Sequence, residues 1–144
     1  MIEQDTVKLL RQCDAGIRMG IDSIDDVMPH VESTDLKACL DKCRQEHKQL
    51  EHSIRQELER YGDEGKAPNP IAKGMSRLKT EVKLGLSDRD STVACLMTDG
   101  CNMGVKSISA SLNKYKKASP EAKDIARKLI DSESALEQQL RSFL

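Results

Sequence analysis

Four stretches of this chain place apolar residues three and four apart, the spacing that gathers them on one face of a helix. The first carries Leu10, Ile17, Ile21, Ile24 and Met28, and the second Leu36, Leu40, Leu50, Ile54 and Tyr61. The third carries Val93, Met97, Ile108, Leu112 and Tyr115, and the fourth Ile125, Leu129, Leu136, Leu140 and Phe143. Abundant Lys, Glu, Leu and Ala, with few β-branched runs, favour helix over strand.

Proline, glycine and capping residues set the boundaries. Pro29 ends a first helix running from about Glu3 to Met28, because the residue before a proline is pushed away from helical backbone angles. Ser33 or Thr34 caps a second helix that reaches about Tyr61 and stops at Gly62. In YGDEGKAPNP, Asn69 before Pro70 reads as the start of a shorter amphipathic helix over about Ile71 to Leu84. Ser87 with Asp90 resembles a capping box for a third long helix, expected to reach about Lys117. Ser119-Pro120-Glu121 is a strong start for the fourth, ending near Phe143.

The two short connections predict two antiparallel helix pairs. The connection 62–87 is long enough to run back along the bundle, so the middle two helices are expected to be parallel. The chain thus reads as one all-α domain, 1–144: a four-helix bundle with a long helical crossover between helices two and three. Its layout resembles the ferritin-like superfamily, and within it an uncharacterised bacterial branch with a helix in the crossover. The phrases carrying the resemblance are HVESTDLKACLDKCRQEHKQLEHSIRQEL, GMSRLKTEVKLGLSDRDSTVACLMTDG and the closing helix. They match in pattern and contain no diagnostic motif.

That resemblance implies a di-iron centre built from a Glu on two helices and Glu-x-x-His on the other two. The chain does not meet the pattern. Its histidines are His30, His47 and His52; the residue three before His47 is Arg44, and the fourth helix has none. The donors expected inside are Asp14, Cys43, His47, Cys101 and Glu133, with Cys13 and Cys39 nearby. Asp14, His47, Cys101 and Glu133 are expected at similar heights. Their N, O and S atoms are of the kinds that hold zinc or iron. The competing explanation is plain packing, since cysteine is among the most buried residues and one inward His beside one carboxylate is commonly a satisfied core pair. Cys43 and His47, one turn apart, also invite comparison with an activated thiol. Packing is again the simpler account, and no catalytic fingerprint appears.

Composition narrows the partners. The formal net charge of the 144 residues is -1, with no basic excess, and the aromatic residues are only Tyr61, Tyr115 and Phe143, so a nucleic-acid surface is not expected. Lys73, Arg77, Lys79 and Lys83 beside Met75, Leu78 and Val82 form a basic amphipathic helix that suits an anionic membrane surface or an acidic partner. A helix lying on the bundle with its lysines outward explains them as well. Gly100 and Gly104 are expected on the inner face of the third helix, for close helix approach or room for another subunit. The resemblance implies side-by-side dimers. The five cysteines form no C-x-x-C pair and no leader or membrane span is evident, which suggests a reducing cytoplasm. The expected role is a non-catalytic binding or structural bundle without a cofactor. The alternatives are a metal-binding or redox protein with an atypical core site, and a membrane-surface or adaptor module.

Overall fold

The computed structural model describes residues 2–63 and 89–144; they form helices, and no strand occurs among them. Helix α1 spans Ile2–Val27, α2 Thr34–Arg60, α3 Arg89–Lys114 and α4 Pro120–Leu140. The expected crossover helix, with its basic residues and the Ser87 cap, lies outside the described residues.

The boundaries follow local chemistry. After α1 the chain makes a 3-10 turn at Met28–His30 around Pro29. The Ser33 hydroxyl accepts the Leu36 N–H at 3.2 Å and opens α2. Gly62, with φ at +69°, takes the left-handed conformation that ends it. Ser119 caps α4 by accepting the Ala122 N–H at 3.2 Å, with Pro120 in the first turn. Helix α3 stops at Lys114, short of the expected Lys117. The Lys117 N–H donates to Asp5 of α1 at 2.9 Å, so that amide is drawn away from a helical bond.

Helix α1 packs beside α2 and α3, and α4 closes the square against the same two. Asp90, in the first turn of α3, accepts the N–H groups of Glu32 and Ser33 at 2.8 and 3.0 Å. Helices α2 and α3 therefore start at the same end and run parallel. At the other end Thr6 Oγ1 accepts the Ser119 N–H at 2.8 Å, and Arg11 pairs with Asp63.

The expected apolar faces are the buried ones, with corrections at the ends. Met28, Tyr61, Leu112, Tyr115 and Phe143 are only partly buried, while Leu9, Val27 and Leu58 are fully inside. The core falls into two clusters. One contains Ile17, Leu50, Ile54, Ile108 and Leu129; the other contains Ile24, Leu40, Cys43, Cys101 and Leu136. Between them each helix contributes one residue that is not hydrophobic: Gly20, His47, Gly104 and Glu133.

Candidate functional site

That intervening layer holds the most unusual chemistry in the bundle. His47 sits on α2 one turn beyond Cys43, so the two side chains share a face. Its Nδ1 lies 3.0 Å from the Cys43 carbonyl oxygen and donates to it, which turns Nε2 inward. Nε2 then faces Glu133 Oε1 of α4 at 3.5 Å. Both side chains are buried, His47 at 1 % exposure and Glu133 at 7 %.

Two glycines make room for them. A Cβ on Gly20 of α1 would lie 2.8 Å from His47 Cδ2 and 2.9 Å from Nε2. A Cβ on Gly104 of α3 would run into Glu133 Oε2 and lie 2.7 Å from its Cδ, closer than non-bonded atoms approach. The helical cost of each glycine, about 1 kcal/mol against alanine, is thereby offset by space for a buried pair. Gly100, expected on the same inner face, is half-exposed, and a Cβ there would meet nothing within 4 Å. Standing one residue before the buried Cys101, it is turned about 100° away from it.

The electrostatics bind the pair together. Burial presses the His47 imidazole toward its neutral form, but hydrogen bonding and charge from Cys43 and Glu133 prevail and push its pKa up to about 10. Burial pushes the Glu133 carboxyl up, and His47 partly restrains it. Oε1 looks to His47, while Oε2, packed on Gly104, has no hydrogen-bond partner among the described residues. Such a pair is costly to bury and costlier to break, because either partner alone is an uncompensated charge.

The neighbouring thiol connects this layer with the surface. Cys43 Sγ lies 3.6 Å from His47 Nδ1 and 3.7 Å from Ser132 Oγ of α4. Ser132 donates to Glu46 Oε1 at 3.1 Å, and Glu46 stands half-buried at the α2–α4 surface. An open groove of about 380 Å³ runs along this face between Glu46, Gln49, Ser53, Lys128 and Asp131. A recess of about 30 Å³ bordered by Cys39, Cys43 and Ser132 shares its Glu46 wall.

Of the five expected donors, Cys43, His47 and Glu133 come together. Cys101 is buried beside them; burial first, then the charge of Glu133, pushes its thiol far up. Asp14 stands apart. Its carboxylate pairs with Arg18 at 3.1 Å and feels Glu51 and Arg55 of α2, not His47. Burial raises its pKa, with Arg18 opposing. Among the described residues no group of three or more His, Cys, Asp or Glu side chains is arranged to hold a metal ion. No family model, curated protein or solved structure matches this chain. No helix of the described residues is long and apolar enough to cross a membrane.

Of the other thiols, Cys13 is buried, and burial with Asp14 beside it pushes its pKa up to about 12. Cys39 is half-buried and donates to the Leu36 carbonyl at 3.3 Å; Cys95 is exposed. Sequence reasoning missed Gly20, Glu46 and Ser132. Gly20 was detectable as a gap in the Ile17–Ile24 stripe, and Ser132 as a small polar residue between Leu129 and Leu136. Glu46 carried no signal, being one of many charged residues on α2.

Proposed function

We propose that this chain is a non-catalytic helical bundle of ferritin-like layout, acting as a binding or structural protein in the cytoplasm. The observation that carries the reading is the self-contained middle layer. A di-iron carboxylate centre needs several inward carboxylates and two imidazoles. The described residues do not fit one: His47 is the only inward imidazole among them, Glu133 is already opposed to it, and Gly20 and Gly104 stand where further donors would be needed. Asp14, the other buried carboxylate, is paired with Arg18. The work of such a bundle is done by its surfaces, against a protein partner or a second copy. Met103 of α3 and Leu144, each 60 % exposed, are apolar groups available for contact.

A second reading is a single transition ion at the His47–Glu133 pair, which would need a side-chain rearrangement to bring in Cys101 as a third ligand. Two observations favour it. Nε2 and Oε1 are 3.5 Å apart, close to the ~3.4 Å edge of a tetrahedral shell with ligands at ~2.0–2.1 Å. His47 also donates its second ring nitrogen to a backbone carbonyl, as metal-bound imidazoles do. Elemental mass spectrometry on untagged protein separates the readings. The scaffold predicts no metal that depends on His47. One equivalent, lost in His47→Leu/Glu133→Leu, overturns it in favour of the ion. A membrane-surface role has its residues, Lys73, Arg77, Lys79 and Lys83, outside the described part of the chain.

A further inference from the structure

We propose that Cys43 is an oxidisable thiol that reacts with small hydroperoxides entering from the α2–α4 groove. Three features of the site converge on this sulfur. It borders the recess of about 30 Å³, which shares Glu46 and Ser132 with the larger surface groove. A water needs only ~10–15 Å³ on the same measure, so hydrogen peroxide fits where a bulky thiol reagent does not. It has a cation and an orienting group behind it: the His47 ring, whose Nδ1 lies 3.6 Å from the sulfur, with His47 in turn facing Glu133 at 3.5 Å. A protonated imidazole beside a cysteine favours the thiolate over the thiol. It also has an exit for its proton, because Ser132 Oγ lies 3.7 Å from the sulfur and donates to Glu46 at 3.1 Å.

The step follows from these positions. The Cys43 proton passes to Ser132 as the Ser132 proton passes to the Glu46 carboxylate, and the protonated His47 faces the thiolate that forms. The sulfur attacks one peroxide oxygen and the O–O bond breaks. Sulfur loses two electrons and becomes a sulfenic acid, Cys–SOH; the peroxide is reduced, and its second oxygen leaves as hydroxide and takes up the proton as water. Cys13 and Cys101 are buried and line neither the recess nor the groove. Cys95 is exposed, but no hydrogen-bond partner of its sulfur is evident in the described residues, which makes it the internal control.

The test treats the folded full-length protein with hydrogen peroxide near neutral pH and quenches with catalase. Denaturing alkylation and peptide mass spectrometry then follow each cysteine. The expected result is oxidation at Cys43 at least about tenfold faster than at Cys95, while a bulky maleimide labels Cys95 and leaves Cys43 untouched. Ser132→Ala, which keeps the helix and its burial, is expected to slow Cys43 several-fold, with Cys95 and the urea midpoint unmoved. His47→Gln is expected to slow it further. Oxidation of Cys95 as fast as Cys43 in the unaltered protein overturns the proposal, whether or not the His47 variant folds. So does an unchanged Cys43 rate in Ser132→Ala.

Discussion

On one side of the His47–Glu133 layer the core is aliphatic apart from Cys13, with Leu9, Leu10, Ile17, Leu50, Ile54, Leu58 and Leu129 all buried. On the other, Cys43, Met97 and Cys101 stand among Leu36, Leu40, Val93 and Leu140. The aliphatic half has branched side chains with few rotamers and tight packing, which favours a single arrangement. The half with more sulfur is softer and more polarizable. It is also the half whose thiols border the buried pair and the surface recess. The division leaves one half of the apolar core away from the chemistry, and leaves the polar layer to fix which residues of the four helices stand level.

The largest expected effect breaks the layer itself. Glu133→Leu strands His47 and is expected to cost about 3–5 kcal/mol in urea unfolding, whereas His47→Leu/Glu133→Leu recovers most of that loss. A double variant no more stable than the single would mean that His47 is not stranded by the loss of Glu133. The halves should then separate on truncation. Leu129→Ala in the aliphatic half is expected to cost about 2–5 kcal/mol, and Cys101→Ala only on the order of 1 kcal/mol. Equal losses would erase the contrast between the halves.

Acidity sharpens the comparison from the polar side. The folded pKa of His47 lies above its free value of 6.5, so its contribution to stability is complete below about pH 6.5 and declines as pH climbs toward about 10. Glu133, also raised, has the same sign. The fall should be read between about pH 6.5 and 8.5, before Cys13 and Cys101 add losses of their own as unfolded thiols begin to ionise. It should vanish in His47→Leu/Glu133→Leu. The smallest effect is a gain: Gly100→Ala, in open space on a helix, is expected to stabilise by about 0.5–1 kcal/mol.

Most of the fold was legible because helix boundaries are written locally. Pro29, Ser33, Gly62 and the Ser119-Pro120 pair each act within a turn of themselves. The end of α3 was not, because Lys117 is captured by Asp5, more than a hundred residues away in sequence. The site was half legible. Burial of Cys43, His47, Cys101 and Glu133 follows from periodicity, yet periodicity gives direction around a helix and not height along it. That is why Asp14 was grouped with His47 although its charge neighbours on α2 are Glu51 and Arg55. Gly20 and Gly104 show the same gap: a missing side chain does not say which neighbour fills its place.

The account turns on Glu133 occupying the space left by Gly104, and a double-mutant cycle measures that directly. Gly104→Ala is introduced alone and in a Glu133→Ala background, with stability read from urea unfolding of all four proteins. The expected result is a loss of about 1–3 kcal/mol on the Glu133 background, turning to no loss or a small gain once the carboxylate is gone. The same effect of Gly104→Ala in both backgrounds would contradict the account.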